Sequence, residues 1–489
     1  MTFVRYEDFG AKGDGVTNDI DAIRAAHLYA NEHRLPVRAT EGKTYYISEV
    51  NESVPVRTDC DFTGASVIFD DREVPLEKRS IHIFSVLPDE EEYEGALSAI
   101  PARFQAKLDM TLPARSIVVL TQVGAPAFVR KGVNANRGVD RFDLLLVERD
   151  GTIDPQSPIL AEYTEIPSVR IRSAEDTPIT IRGGTFTTLV RGDIAESNYY
   201  YRGFDITRSN VTVEDVTHYN VGDDERGAPY TAFIDACLCA HLTIRRCTFT
   251  PHITYRMRRD TPPLTKGTYD CTPEKVIHLL FEDCTQTVDI CDSRYWGVMG
   301  SNHCRDVVVK NCNFSRFDTH TGAYDITIVG CTLGHQCLSV TGWGRLLLQD
   351  TTLYGRALVN LRPDFGANWE GDAEIRDCTW IPRCGRAFSE ICPIIGGRND
   401  QDHNFGYPCR MPRVLRIDGL HIDDSRAGGE GGIAFFGDLN PACVGDDYEP
   451  VVPYAPTEDV YVRNLTTATG RMPRLSENPY MFRGTRFHT

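Results

Sequence analysis

An internal repeat of short strands constrains the fold of this chain more than any other feature of its sequence. The unit is an apolar–x–apolar triplet, a polar pair ending in Asp, Asn, Gly or Arg, and then a small residue followed by Thr or Asn, as in Val307–Phe314 and Ile326–Leu333. Such a pattern predicts a short strand, a turn and the start of a second strand. The small residues at positions 312, 331 and 351 are 19 and 20 residues apart, about one coil of a parallel β-solenoid. Further copies begin at Ile179, Val211, Leu242, Leu279, Leu346, Ala373, Leu415 and Val460.

The repeat predicts an all-β chain folded as a right-handed parallel β-helix, with coils stacked at ~4.8 Å. Of the 16 cysteines, 15 lie between Cys237 and Cys443, and several occupy the small position of the repeat. We therefore expect an inward-facing ladder of free thiols, which behave as small apolar groups, rather than disulfides or metal ligands.

Changes in the repeat divide the chain into four parts. Residues 1–83 form an N-terminal cap and the first coils, with a helix after Thr17–Asp19. Residues 84–171 lack the repeat and are predicted to be a small inserted β subdomain, residues 172–470 the main β-helix, and residues 471–489 a C-terminal tail. The expected buried face of the helix consists of Ile20, Ile23, Ala26, Leu28 and Ala30.

The segment Asp8–Asp19, which reads Asp-Phe-Gly-Ala-Lys-Gly-Asp-Gly-Val-Thr-Asn-Asp, resembles the N-terminus of the pectate-lyase and polygalacturonase-like β-helix superfamily. Arg294–Gly300, Ser315–His320 and Leu361–Gly371 are similar to segments of uncharacterised bacterial β-helix proteins. The resemblance implies this fold, a capping helix and action on glycans, because the superfamily includes hydrolases, lyases, epimerases and phage tailspikes. The polygalacturonase motifs do not occur in order, and only Val221–Asp224 matches most of one of them.

Counting along the repeat places Asp292, Asp318 and His320 on adjacent coils. If Leu338 and Val340 point inward, the polar positions point outward, and Asp292 lies one strand spacing from His320. Two carboxyl groups beside a groove suit glycoside hydrolysis, in which one protonates the leaving oxygen and the other activates water or attacks the sugar. His320 would orient or tune a neighbouring carboxylate. The alternative is that both aspartates are turn residues that accept backbone hydrogen bonds.

A loop marked by Pro363 and Gly366 carries three further candidates. Arg362 would clamp a hydroxyl or carboxylate group, and Asp364 or Glu370 would supply the second catalytic acid. Other predicted sugar contacts, for which core packing or a solvated loop is the alternative, are Tyr295, Trp296, Trp343, Trp369, His335 and His403.

Together these residues predict a glycoside hydrolase that needs no cofactor or metal. One alternative is a polysaccharide lyase or epimerase with Arg294 or Arg316 as base. A less favoured form of it would bind calcium through Asp289, Asp292 and Asp318. The other alternative is a non-catalytic, tailspike-like glycan-binding solenoid.

The net charge of −17 excludes a broad basic surface for nucleic acid or anionic membranes, and it favours a mostly neutral carbohydrate partner. No stretch approaches the roughly 20 apolar residues that span a bilayer. No secretory signal is visible, so a cytoplasmic location is expected. The sequence leaves a homo-oligomer open.

Overall fold

Parallel strands stacked coil upon coil make up most of the protein. The computed structural model describes residues 2–130, 135–190, 201–223, 232–257, 264–382, 391–397, 408–426, 432–437, 445, 454–476 and 480–489. A typical coil contributes three strands, and each strand pairs in parallel with the equivalent strand of the next coil. The all-β prediction is confirmed, and the stacking is that of a parallel β-helix.

The first column of strands contains the apolar triplets of the repeat. Val307–Val309 pairs in register with Leu279–Phe281 on one side and Ile326–Ile328 on the other, and the alternate residues are buried in the core. Strands that contribute to this column are Val4–Arg5, Val37–Arg38, Cys60–Asp61, Ile179–Arg182, Val211–Glu214, Ile234–Arg245, Cys271–Glu282, Arg305–Lys310, Ala323–Val329, Gly342–Gln349, Trp369–Trp380, Val414–Ile422, Asp459–Thr467 and Arg486–His488.

The polar pair of the repeat forms a turn whose second residue is left-handed. Asp283, Asn311 and Asp350 have φ of 53°, 52° and 48°. Asn and Asp tolerate this conformation better than other residues with a Cβ atom, which explains their recurrence at the position. Arg246 takes the same conformation, and its Nε lies 2.7 Å from a carboxylate oxygen of Asp215 on the neighbouring coil.

The second column begins directly after this turn and carries the cysteine ladder. Every described cysteine is free, and the ladder cysteines at positions 247, 284, 312, 331 and 378 are buried, as predicted. Thr351 is buried at the equivalent position. Strands of this column are Asp14–Asn18, Thr44–Ile47, Ser66–Asp70, Thr185–Leu189, Thr217–Val221, Thr248–Phe249, Thr285–Gln286, Asn313–Thr321, Thr332–Val340 and Thr352–Leu353.

The third column positions the candidate site. Phe317 pairs with Leu338, and both are fully buried in the main core, so that Asp318 and its partner Ser339 lie on the opposite face of the column. Besides long strands already named, this column contains Val54–Val56, Phe84–Val86, Phe204–Ile206, Met299–Asn302, Val359–Leu361, Ile391–Gly396 and Gly432–Phe436.

A single α-helix among the described residues, Ile20–His33, packs its buried residues into the main core. Leu28, predicted to be on the buried face, is 48% exposed, and His27 is buried instead, with its Nε2 3.0 Å from the Tyr6 hydroxyl. Asp19 precedes the helix, but its carboxylate accepts hydrogen bonds from the backbone of Lys12 and Gly13 rather than capping the helix. Within the described residues no helix is both long and apolar enough to cross a membrane.

Residues 93–173 contain a separate antiparallel sheet with its own apolar core. Its strands are Tyr93–Gly95, Ser116–Ala127, Val139–Val147 and Ser168–Ser173. The other face of the sheet packs against Ala240 and Ile277 of the β-helix. Two predicted boundaries differ: Phe84–Val86 pairs within the large sheet, and Arg486–His488, in the predicted tail, adds a strand to the first column.

Shorter elements connect the coils. Within the described parts of the chain, the 3₁₀ helices are Tyr6–Phe9, Leu76–Lys78 and Pro363–Phe365. Two small sheets there pair Tyr255–Met257 with Leu264–Lys266 and Cys409–Arg410 with Tyr454–Ala455.

Candidate functional site

Asp318 lies at the centre of a buried polar cluster on the outer face of the third column. Its side chain is fully buried because residues from other coils cover it. Arg362 donates from Nη1 to both carboxylate oxygens, at 2.8 and 2.9 Å, and the Arg316 guanidinium contacts Oδ2. Two nearly buried guanidinium groups therefore share one carboxylate.

Two further groups converge on Oδ2 of Asp318. The Tyr269 hydroxyl donates a hydrogen bond to it, and His320 Nε2 lies 3.1 Å from it. The Tyr269 oxygen is also 3.5 Å from His320 Nε2. If Nε2 carries the proton, as its carboxylate neighbour favours, Nδ1 of His320 keeps a free lone pair. Nδ1 forms no hydrogen bond within the described residues.

The charge states of this cluster differ sharply between Asp318 and His320. Burial opposes the charge of Asp318, but Arg316 and Arg362 outweigh it and hold the pKa of Asp318 well below its usual range. Burial lowers the pKa of His320, although Asp318 opposes that shift. At neutral pH the cluster thus has an ionised Asp318 and a neutral His320. Because 27% of the His320 side chain is exposed and none of Asp318 is, His320 is the group of this pair that can exchange protons with a bound molecule.

Aromatic rings hold Arg316 in place. Its guanidinium lies 4.5 Å from the Trp296 ring centre and 5.8 Å from that of Tyr269. Trp296 packs so closely on Gly267 that a Cβ atom there would lie 2.0 Å from the indole. This contact explains why a glycine precedes Thr268 and Tyr269 in the segment that covers the cluster.

Asp364 connects the cluster to the inserted subdomain. Its carboxylate accepts hydrogen bonds from Arg362 Nε and Nη2, at 3.1 and 2.7 Å, and pairs with Arg130 at 2.9 Å. The neighbouring Phe365 packs in an apolar cluster with Phe128 of the insertion. The insertion therefore forms one wall beside the third column.

A cavity of about 220 Å³ adjoins this wall. Its aromatic lining comes from both the insertion and the β-helix, and Glu370 at its edge pairs with Arg103 at 2.8 Å. Aromatic faces combined with charged hydrogen-bonding groups suit a ligand that has both apolar and hydroxyl-bearing surfaces. The lining includes Phe128, Phe142, Trp343, Arg103, Arg141, Glu162, Glu370 and His303.

Solved structures share this architecture. The gp54 tailspike of Acinetobacter baumannii bacteriophage AP22, in complex with A. baumannii capsular saccharide, gives a TM-score of 0.52 at 10% identity, over 99% of this chain and 79% of that chain. The chain has a right-handed parallel β-helix fold. No protein-family model matches the sequence, and no curated protein matches it.

Two other parallel β-helix proteins give lower scores. The gp61 tailspike of Pseudomonas phage phi297 has a TM-score of 0.49 at 13% identity, over 95% of this chain and 80% of that chain. The A-module of the Azotobacter vinelandii mannuronan C-5 epimerase AlgE6 has a TM-score of 0.48 at 12% identity, over 99% of both chains. At such identities the likeness concerns the fold, and the reaction depends on the chemistry of the site.

Several residues predicted from the sequence meet in this β-helix. Asp318, His320 and Arg362 are in direct contact, and Asp364 joins them through Arg362. Trp296 stacks on Arg316, whereas Glu370 and Trp343 lie at the neighbouring cavity. The predicted grouping is therefore split into a charged cluster and an aromatic cavity, which adjoin through Phe128 and Phe365.

Other predictions differ from the structure. Trp369 is fully buried and donates its indole N–H to the carbonyl oxygen of Gly344, so it packs in the core and does not face a ligand. Asp292 is not beneath His320: register places Gly300 opposite Asp318, and Asp292 lies in a turn. The chain between consecutive strands is longer there than the repeat assumes.

Asp292 instead binds its own turn. Its carboxylate accepts hydrogen bonds from the backbone and side chain of Arg294, which is the turn-residue alternative considered for it. Tyr295, half-buried, lies beside Arg294, and His335 is held by the carbonyl oxygen of Ile290 at 3.1 Å. These residues have no contact with Asp318 in the described structure, and His403 lies outside the described residues.

Two members of the charged cluster, Tyr269 and Arg130, were not predicted from the sequence. Tyr269 comes 49 residues before Asp318, from a segment without the repeat, and Arg130 comes from the insertion. The only local signal for Tyr269 is the Gly267–Thr268–Tyr269 sequence before the strand that begins at Cys271.

Proposed function

We propose that this chain is a polysaccharide-processing enzyme that abstracts a proton next to a sugar carboxylate, with His320 as the proton-transfer residue. The observation that carries the proposal is the contact between His320, which is partly accessible, and Asp318, which is enclosed and held ionised. Asp318 fixes the imidazole and keeps Nδ1 available as a base.

The charge of the site supports an acidic sugar. Among the described residues, three guanidinium groups, from Arg130, Arg316 and Arg362, face two carboxylates, from Asp318 and Asp364, although the whole chain carries −17. A sugar carboxylate placed beside this excess positive charge is stabilised, and so is the negative charge that develops when its neighbouring carbon loses a proton.

The proposed step is a β-elimination. His320 Nδ1 takes the proton from the carbon next to the carboxylate, the electron pair forms a carbon–carbon double bond, and the glycosidic oxygen leaves with its electron pair. If water instead delivers a proton to the opposite face of the carbon, the glycosidic bond stays intact and the product is the C-5 epimer. Both outcomes begin with the same proton transfer.

Hydrolysis, the first expectation from the sequence, fits this geometry less well. A hydrolase needs a protonated carboxyl group as general acid. Asp318 is enclosed by two guanidinium groups, and both Asp364 and Glu370 are engaged by arginine. The calcium-dependent form is disfavoured by the same cations around Asp318. The tailspike with a TM-score of 0.52, solved with a capsular saccharide, supports a carbohydrate ligand but not a particular reaction.

The experiment is a screen of the full chain against acidic and neutral polysaccharides, including polygalacturonate, alginate and a neutral glucan. We expect ultraviolet absorbance from an unsaturated product, or solvent deuterium incorporation without cleavage, on an acidic polymer only. His320→Gln should reduce the rate by roughly 100-fold or more. His421→Gln, a matched change at an exposed histidine of strand Val414–Ile422, should leave it unchanged.

Three results would contradict the proposal. New reducing ends without absorbance would identify a hydrolase. Binding without any chemical change would identify a glycan-binding protein. Full activity of the His320→Gln variant would remove His320 from the reaction.

A further inference from the structure

Two carboxylates stand side by side on neighbouring coils of the third column, away from Asp318. Asp205 pairs in register with Asp235, between Ser85 on one side and Thr272 on the other. Adjacent parallel strands are ~4.8 Å apart, so the two negative charges repel each other unless a cation lies between them.

No Lys or Arg side chain within the described residues forms an ion pair with either carboxylate. Arg172 lies near enough for its charge to act on Asp205, yet it makes no such pair. Asp205 also accepts no hydrogen bond from a described residue, so its carboxylate is an uncompensated acceptor.

A histidine completes the group. His82 lies two residues before the strand Phe84–Val86, which carries Ser85, and its Nε2 is buried, without a hydrogen-bond partner in the described structure. This nitrogen lies 3.5 Å from Oδ2 of Asp235, and one donor atom from each of His82, Asp205 and Asp235 falls within 4.8 Å of the others. Two donors bonded to one ion at ~2.1 Å are roughly 3–3.5 Å apart in a tetrahedral arrangement.

We propose that His82, Asp205 and Asp235 bind one divalent transition-metal ion, zinc or manganese. An imidazole nitrogen and two carboxylate oxygens are a donor set that these ions accept, whereas calcium and magnesium prefer oxygen donors throughout. Thr272 donates its hydroxyl to Oδ1 of Asp235 at 2.9 Å, and such an outer contact orients the carboxylate toward the metal. The three side chains remain partly exposed, which leaves coordination positions for water or a ligand.

The proposed metal site and the His320 site are separate. Ile234, Cys271, Met299 and Phe317 pair in succession, so Asp235 lies three coils before Asp318 in the same column. Three coil spacings amount to about 14 Å. The metal would therefore not touch the reacting atoms at His320, and its binding does not depend on the proposed function.

The test is isothermal titration of the full chain, after treatment with a chelator, with zinc chloride and separately with manganese chloride. We expect one equivalent of one of these ions to bind and to raise the thermal midpoint of unfolding. Asp235→Asn and Asp205→Asn should each weaken binding by about 100-fold or more, and so should His82→Gln. Asp283→Asn, the same change at a first-column turn residue, should bind as the wild type does.

Spectroscopy of the wild type keeps the test independent of variants that fold poorly. Electron paramagnetic resonance should show bound manganese, or cobalt in place of zinc should give an absorption spectrum with imidazole and carboxylate ligands. The proposal is overturned if the wild type takes up neither ion, if calcium or magnesium binds more tightly, or if well-folded variants bind as tightly as the wild type.

Discussion

Replacing Asp318 by Asn tests whether this residue anchors the cluster or acts as an exposed catalytic carboxylate. The substitution keeps the shape of the side chain and removes its charge. Arg316 and Arg362, with side chains only 6% and 9% exposed, would then lose the carboxylate that they share. Arg362 keeps its contact with Asp364, but no other carboxylate pairs with Arg316 in the described structure.

The expected cost is large because one partner of a buried ion pair is removed while the other charges stay buried. Such changes cost about 3–5 kcal/mol. An unfolding entropy of about 2.1 cal/mol/K per residue gives roughly 1 kcal/mol/K for 489 residues. If the chain unfolds in one step, the thermal midpoint should therefore fall by about 3–5 °C. A smaller cooperative unit around the cluster would give a larger shift.

The measurement is urea and thermal unfolding of the wild type and of Asp318→Asn, followed by circular dichroism. Asp292→Asn is the matched control, because its carboxylate pairs with Arg294, whose side chain is 74% exposed, and such a pair contributes less than about 1 kcal/mol. A cost below about 1 kcal/mol for Asp318→Asn would refute the anchoring role. It would also show that the two arginines do not depend on this carboxylate.

Three further outcomes are expected. First, a histidine that acts as a base must be neutral, and burial lowers the pKa of His320 below its usual 6.5. The reaction rate should therefore stay constant around neutral pH and fall only on acidification. A rate that falls as pH rises through neutrality would count against His320 as the base. Second, burial opposes the charge of His278, but hydrogen bonds with two aspartates raise its pKa to about 9. The protonated His278 should therefore contribute up to about 2 kcal/mol to the free energy of unfolding, after allowance for solvent screening. This contribution is complete below about pH 6.5 and disappears as pH rises through about 9. Unfolding of His278→Gln should lack this pH dependence. Trp369→Ala should cost about 3–5 kcal/mol of stability, whereas Trp343→Ala should cost less stability and raise KM by roughly 3- to 10-fold. Equal stability losses with an unchanged KM would contradict the predicted sugar contact of Trp343.

The coil architecture could be predicted because it depends on local chemistry repeated along the chain. The apolar triplet gives one strand, and Asp283 or Asn311 takes the left-handed turn conformation that follows it. Small residues such as Cys284 and Cys312 then fit the interior of the stack. Each of these signals lies within about ten residues, and repetition makes it recognisable.

The site could be predicted only in part. Asp318 and His320 could be placed on one surface by counting along the repeat, and Arg362 could be assigned to a loop because Pro363 and Gly366 mark it. Asp292 was misplaced because the count assumed equal coil lengths, and the segment before Met299 is a longer loop whose turn holds Asp292. Trp369 was misassigned because the sequence does not show which side of a strand a tryptophan occupies when the register is unknown.

The sequence by itself determined the stacking of parallel coils, the turns at the polar pairs and the free, buried cysteines. The tertiary structure determined the burial, the partners and the charge state of Asp318. Arg362 is 44 residues away from it and Tyr269 is 49, and only folding of the loops over the third column encloses the carboxylate between them. The physical reason is that strand formation follows from neighbouring residues, whereas the charge state of a buried group depends on every charge and hydrogen bond that the fold brings to it.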